Sequence, residues 1–109
     1  MANTFKNKVI AAIGPVAEGY TVPASTTTTV IGMAIANRTA ATITVDAEVV
    51  DTSAGVTAYL LKDGIIAAGG SLVVVGGDQK VVLETTDVLQ VASNVSSSAD
   101  VVISMMETT

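Results

Sequence analysis

The residues of this sequence that could do chemistry are few, and the most suggestive are two carboxylates. Asp46 and Glu48 stand two residues apart in a stretch that alternates apolar and polar side chains, so both point to one face of a predicted strand. Along a strand this spacing separates them by roughly 6.5–7 Å, at which paired carboxylates serve glycosidases. Thr42 and Thr44 share the same face. These polar neighbours favour the simpler interpretation, a solvated strand surface.

Other acidic and glycine-rich positions are also better explained by turns. Asp51, Asp63 and Asp78 fall in predicted turns, where Asp is favoured because its side chain bonds nearby backbone N–H groups. Their spacing is not that of an EF-hand calcium loop, so we expect no metal site. Residues 76–80 superficially resemble a phosphate-binding loop, but they lack the Lys-Ser/Thr pair and the following helix. An apolar β-run at Val81–Leu83 follows instead, which indicates a tight turn between strands.

The chain contains no histidine and no cysteine. The missing histidine removes the commonest general base near neutral pH, the usual partner of a nucleophilic serine and the commonest metal ligand. The missing cysteine removes thiol nucleophiles, thiolate metal sites and disulfides. The hydroxyl groups of residues 93–98 therefore have no base to activate them. We predict a protein that is not an enzyme, with no catalytic residue, no cofactor and no metal.

The composition favours β-sheet and a surface that other proteins cover. Hydrophobic residues make up 50% of the 109 residues, yet aromatic residues make up only 3%, so the apolar mass is aliphatic. Valine, isoleucine and threonine suit a pleated sheet because their branched side chains pack well there. Only 14% of residues are charged, which leaves little material for a solvated coat. The length fits a single domain, and we expect that domain to bury part of its surface against partners or copies of itself.

The charge balance excludes nucleic acid as a partner. The formal net charge is −5 with only five basic residues, of which Lys6 and Lys8 alone are close in sequence. Binding to phosphates needs a positive field that these residues cannot assemble.

Two stretches could be mistaken for membrane or targeting segments. Residues 19–37 carry no charge, but they contain Pro23 and a run of four threonines, which are typical of a turn and a polar strand. Residues 9–13 form an apolar run too short for a signal peptide. We expect a soluble protein with no membrane partner and no signal sequence.

Alternation with a period of two residues is the main structural signal. The clearest case spans residues 42–49, whose predicted core positions are Ile43, Val45, Ala47 and Val49. Residues 30–36 alternate in the same way and place three side chains on one predicted face, Ile31, Met33 and Ile35. Residues 37–40, between these two strands, are interpreted as a hairpin connection.

Further strands follow at short intervals. Residues 56–61 form a predicted strand closed by a turn at residues 62–64, since Gly64 could supply a positive φ. Other predicted strands span residues 20–22, 72–75, 81–83, 88–91 and 101–105. No segment sustains a period of 3.6 residues, which argues against helices that connect parallel strands. We predict an all-β fold: a single antiparallel β-sandwich, Ig-like or jelly-roll-like, of about eight short strands with an N-terminal arm.

The first fifteen residues are the ambiguous part of the chain. We divide it into residues 1–15, an N-terminal arm or first strand, and residues 16–109, the β-sandwich domain. The apolar side chains of the first segment fit either a helical stripe or an extended arm, and Gly14-Pro15 ends both. The segment either completes the domain as a strand or docks on a neighbour. The candidate protein-interface residues are Phe5, Lys6, Lys8, Val9, Ile10 and Ile13, with the two lysines available to acidic groups of a partner.

An ordered series of short motifs resembles a known family. Residues 20–25, Tyr-Thr-Val-Pro-Ala-Ser, lead through the threonine run into an apolar strand that ends in Ala-Asn at residues 36–37. The second half continues with residues 67–72, 82–84 and 87–91, and a closing strand near Met106-Glu107. Together these pieces resemble small virion proteins of tailed bacteriophages over most of the chain. Thr86 departs from the pattern, which has Gly before the Asp, and implies a different turn there.

The resemblance implies a structural component of a phage particle. We expect a capsid cement or decoration protein that binds the major capsid protein on the capsid exterior. Such a protein would be assembled in the host cytoplasm as a homo-oligomer, a dimer or a trimer. The alternative is a tail, neck or baseplate component. A carbohydrate-binding adhesion module is disfavoured because sugar recognition depends on aromatic faces, and this chain has only one Phe and two Tyr.

Overall fold

A computed structural model describes residues 2–109, and the regular structure in this range consists of nine β-strands. They are β1 (Asn3–Ile13), β2 (Glu18–Thr21), β3 (Thr27–Asn37), β4 (Ile43–Asp51), β5 (Val56–Ile66), β6 (Ser71–Val75), β7 (Val81–Leu83), β8 (Val88–Ser93) and β9 (Ala99–Thr108). The β1 sheet has the order β1-β9-β3-β6. β7 also pairs with β3, so β6 and β7 follow one another along the same side of that strand. The β2 sheet has the order β2-β8-β4-β5. The two sheets pack as a sandwich, which confirms the predicted all-β class.

The strands pair as a set of nested hairpins. β4 pairs with β5, β3 with β6 and β7, β2 with β8, and β1 with β9, all antiparallel. This long ribbon is then rolled up, because β3 also pairs with β9 and β4 also pairs with β8. The resulting order is that of a jelly roll. Of the two predicted topologies, the structure therefore has the jelly roll and not the Ig-like arrangement.

The core lies between the sheets and is filled by aliphatic side chains. Ile43, Val45 and Ala47 are buried, as their alternation predicts, and Val49 is partly buried. Every second residue of β9 faces the same core, namely Ala99, Val101, Ile103 and Met105. Branched and unbranched aliphatic residues thus interdigitate with little aromatic material.

The predicted orientation of Ile31 is wrong. The register of β3 against β9 shifts between Val30 and Gly32, so Ile31 is an extra residue in the strand. Such a bulge reverses the alternation on one side of it. Val30 is therefore fully buried while Ile31 is 36% exposed. Met33 and Ile35, beyond the bulge, face the core as expected.

The segment at residues 37–40 is not a hairpin, because β3 and β4 belong to different sheets. It carries the chain from one layer of the sandwich to the other. Asn37 is buried at the start of this crossing, and its amide donates hydrogen bonds to the backbone carbonyls of Ala41 at 2.7 Å and Ile66 at 3.0 Å. The side chain thereby supplies hydrogen bonds to backbone carbonyl groups next to the crossing.

The predicted turn at residues 62–64 is also absent, since β5 continues to Ile66. The register against β4 shifts on both sides of Ala47, and Asp63 takes a positive φ of 53°. Its backbone N–H donates to the Asp46 carboxylate at 2.7 Å. The turn-forming residues therefore make a bulge within one long strand.

The N-terminal segment is the first strand of the chain's own sheet. β1 pairs with β9 from Asn3 to Ile10 without interruption, and its register shifts before Ile13. β1 lies at the edge of the β1 sheet, so one side of the strand has no partner among the described residues.

Candidate functional site

The outward faces of the two sheets differ sharply in charge. The β2 sheet carries Asp46 and Glu48 outward on β4. Lys62 Nζ lies 3.6 Å from Asp46, and this carboxylate together with Asp63 raises the pKa of the lysine. Gln90 donates to Glu48 at 2.6 Å. Both carboxylates are thus engaged by neighbours on a polar strand surface, as the simpler interpretation of the pair expects.

The outward face of the β1 sheet, called here the outer face, carries two rows of side chains that are apolar except for Thr29. The register aligns one residue from each of four strands into the valine row, Val9, Val102, Ala34 and Val73. It aligns four more into the phenylalanine row, Phe5, Met106, Thr29 and Val82. Phe5 is 75% exposed, Val73 68% and Val82 63%, so large apolar side chains lie open to solvent.

A shallow hollow separates the two rows. The strands contribute only Asn7, Ser104 and Gly32 at this level, which form the middle row. Two adjoining depressions of about 300 Å³ and 230 Å³ meet at Ser104. Ile31, displaced outward by the β3 bulge, lines the larger one. The outer face therefore has relief: two ridges with a trough between them.

No contact within residues 2–109 requires a glycine at position 32. A Cβ at this position would come no closer than 3.8 Å to Val75 O and 3.9 Å to Ser104 Cβ, which are ordinary contacts. Its φ is not positive. Glycine within a strand weakens it and often marks the close approach of another molecule. The trough is thus open because a side chain is absent where one would fit.

The outer face is almost free of charge. Among the strand residues of 2–109 that point outward from the β1 sheet, Asp100 is the one ionisable side chain, at one end of β9. It accepts a hydrogen bond from the backbone N–H of Ala12 at 2.9 Å and pairs with Arg38 at 3.2 Å. An extended uncharged apolar face of this kind is characteristic of surfaces that other proteins cover.

The structure divides the candidate interface residues of the first segment among three environments. Phe5 and Val9 lie on the outer face. Lys6 and Lys8 point to the opposite side of the edge strand. Ile10 is half-buried against the core, and Ile13 is fully buried within it. Ile13 is therefore unavailable to a partner.

Most residues of the outer face were not singled out by sequence reasoning. Val73, Val82 and Val102 belong to predicted strands, and their alternation indicates which neighbours share a face. What the sequence does not state is that their strands lie in the same sheet as β1. The apolar rows exist only through that long-range register.

A buried polar network ties the two sheets together at one end. Glu107 on β9 is 6% exposed; it accepts a hydrogen bond from the Tyr20 hydroxyl and pairs with Lys6 Nζ at 2.9 Å. The Tyr20 hydroxyl also lies 2.8 Å from Thr28 Oγ1. Burial and the bond to Glu107 raise the pKa of Tyr20 to about 12, while the bonds from Tyr20 and Lys6 lower the pKa of Glu107. The network therefore has a structural role: it links β2 of one sheet to β3 and β9 of the other.

An acidic cluster lies at the turns near the ends of β4 and β7. Carboxylate oxygens of Asp51, Glu84 and Asp87 lie within 4.8 Å of one another. Asp87 is buried, and its carboxylate accepts from the backbone N–H groups of Glu84 at 2.9 Å and Thr52 at 3.2 Å. The Asp87 carboxylate therefore caps the turn by accepting these backbone hydrogen bonds.

Within residues 2–109 there is no helix long and apolar enough to cross a membrane.

Comparison with known proteins gives a likeness in fold. No protein-family model matches the chain, and no curated protein matches it. The structure of infectious bursal disease virus Gx strain matches with a TM-score of 0.50 and 10% identity, over 96% of this chain and 35% of that chain. The VP2 subviral particle of the same virus matches with a TM-score of 0.47 and 11% identity, over 96% and 36%. The Gt strain matches at 0.42 and 8%, over 94% and 35%.

This chain therefore spans about a third of the length of the chains it matches. At such low identity, the likeness to the Gx strain shows a shared β-sandwich fold.

Proposed function

We propose that this chain is a non-enzymatic structural protein of a virus particle, and specifically a cement protein that binds the major capsid protein on the exterior of a tailed-bacteriophage capsid. The observation that carries the structural role is the uncharged, apolar outer face of the β1 sheet, and the capsid contact rests on the edge of β1. A jelly roll alone does not define a function, because the fold hosts many. A stiff sandwich with one face left for protein contacts fits a part of a larger shell.

Two further observations support a particle component. The same fold occurs in a chain of infectious bursal disease virus. The ordered motifs of the sequence resemble small phage virion proteins. Neither observation depends on the charge difference between the two sheets.

We assign the capsid contact to the edge of β1, on the side that carries Lys6 and Lys8. Within residues 2–109 one edge of this strand is unpartnered, and its lysines are the only basic residues that stand close together in a sequence of net charge −5. Lys6 already pairs with Glu107, whereas Lys8 is exposed and is free for an acidic group of the partner. The long edge also offers backbone groups to a strand of the partner.

The first experiment is the copy number in purified particles of the virus that encodes this chain, by quantitative gel densitometry. A cement protein is expected at roughly hundreds of copies, as icosahedral shells require, whereas a tail, neck or baseplate ring holds about six to twelve. Absence from the particle would contradict the whole proposal. A ring-like copy number would replace the cement role by the tail or neck role.

The second experiment measures binding to empty capsids of that virus. Lys8→Glu is expected to weaken capsid binding several-fold, because it reverses the charge at the proposed contact. Lys80→Glu makes the same charge change in the exposed loop after β6 and serves as the matched control. Equal weakening by both variants would refute the assignment to β1.

A further inference from the structure

We infer that the outer face of the β1 sheet is a contact surface between two copies of this chain, related by a two-fold axis. The inference concerns the occupant of this face and holds independently of the kind of particle to which the chain belongs. It follows from the size of the face, its charge and its relief.

The face is large enough for a specific contact between two copies. Four strand positions at about 4.8 Å and roughly eight residue steps along β9 at about 3.3 Å give a footprint of the order of 500 Å² per copy. Two copies together cover about 1,000 Å², which reaches the lower bound for a specific interface. The two rows and the trough occupy most of this footprint.

The charge of the chain favours a second copy at this face over any other pairing of copies. The net charge is −5, so most surfaces would bring like charges together. The β2 sheet, for example, would oppose Asp46 and Glu48 to their own duplicates. The outer face brings no such conflict, because its one carboxylate, Asp100, lies at the end of β9 and pairs with Arg38.

The relief of the face is self-complementary. The two rows lie two residues on either side of the middle row, so each ridge is about 6.7 Å from the trough. A two-fold axis perpendicular to the strands, placed midway between the phenylalanine row and the trough, exchanges those two features. The phenylalanine row of each copy then faces the middle row of the other. Phe5 lies opposite Asn7, and Thr29 lies opposite Gly32, where the missing side chain leaves room. Such a contact closes on itself and yields a dimer.

The test is the oligomeric state of the full chain by sedimentation equilibrium. The wild type is expected to be a dimer at about 10 µM, the affinity range of a small interface. Val82→Lys places a charge from each copy in the apolar contact, close to the two-fold axis, and is expected to raise the dimer dissociation constant at least tenfold. Val56→Lys is the matched control, since Val56 is also exposed, at 57% against 63%, but lies on β5 of the other sheet. It should leave the constant unchanged.

Gly32→Val separates contact from folding. Valine suits a strand better than glycine, so the melting temperature of the monomer should not fall, while the filled trough should weaken dimerisation at least tenfold. Retained circular dichroism establishes that the variants are folded.

A wild type that stays monomeric at about 100 µM would overturn the inference. So would a trimer, or equal effects of Val82→Lys and Val56→Lys. A monomer whose capsid binding is abolished by Val82→Lys would overturn it in favour of a capsid partner on this face, and would leave the cement function standing.

Discussion

The hydroxyl of Tyr20 donates a hydrogen bond to the buried carboxylate of Glu107, across 87 positions of sequence. Tyr20 belongs to β2 and Glu107 to β9, so this bond joins the two layers of the sandwich. Lys6 and Thr28 complete the network from β1 and β3. The only buried carboxylate that pairs with a lysine among the described residues is thus also the point where four strands are held together.

Tyr20→Phe is expected to lower the free energy of unfolding by about 1–2 kcal/mol, because it leaves Glu107 with one partner fewer in a buried site. Tyr59→Phe is the control. Tyr59 is 53% exposed, and its ring contact with Lys62 does not need the hydroxyl. Urea unfolding measures both. An equal effect of the two substitutions would mean that the hydrogen bond between Tyr20 and Glu107 does not stabilise the fold.

Stability at acid pH should depend on Glu107. Its pKa is lowered in the folded chain, so folding favours the ionised form. The contribution is complete above the unfolded value of about 4.3 and is lost as the pH falls through the lower folded value. Glu107→Gln should therefore be less stable than the wild type at pH 7, and the difference should shrink below about pH 4. A difference that is constant from pH 7 to 3 would argue against this ionisation.

Stability at alkaline pH should depend on Tyr20. Its pKa is raised from 10.0 to about 12, so the folded state favours the neutral phenol. This contribution is complete below pH 10 and is lost as the pH rises through about 12. Ultraviolet titration of the Tyr59→Phe protein reports Tyr20 alone and should show a midpoint near 12. A midpoint near 10 in the folded protein would mean that Tyr20 is not held by Glu107.

The first strand should respond differently along its length. Ile13→Ala is expected to cost about 2–5 kcal/mol because it empties a fully buried site. Phe5→Ala should change monomer stability by less than about 0.5 kcal/mol, since its ring lies in solvent. Chemical denaturation at concentrations well below the dimer dissociation constant makes the comparison. A large loss from Phe5→Ala under those conditions would place Phe5 in the fold of the single chain.

Much of the fold could be predicted from local patterns. The alternation at residues 42–49 identifies a strand and its buried side, because the period of the side chains is set by the pleat itself. The two bulges could not be predicted. An extra residue at Ile31 or Asp63 leaves the types of its neighbours unchanged, and only the partner strand shows that the register has shifted.

The outer face illustrates the same limit at longer range. Phe5 and Val9 are among the candidate interface residues that the sequence indicates in the first segment. Their partners Val102 and Met106 lie more than ninety positions away in the sequence. Which strands are adjacent is decided by how the whole ribbon rolls up, and no short stretch of sequence contains that information.

The nested pairing of the strands also has a kinetic consequence. The β4–β5 hairpin closes the shortest loop. Each further pair of strands forms next to a pair that already exists, so the loop that it must close is short. The entropic cost of loop closure is therefore divided into small steps. We therefore expect β1 and β9, the outermost pair, to pair last during folding and to open first in the folded protein. Hydrogen exchange should accordingly be faster for the amides of β1 than for those of β4, which is paired on both sides. β1 is the strand to which we assign the capsid contact. Its opening leaves the inner strand pairs of the ribbon formed.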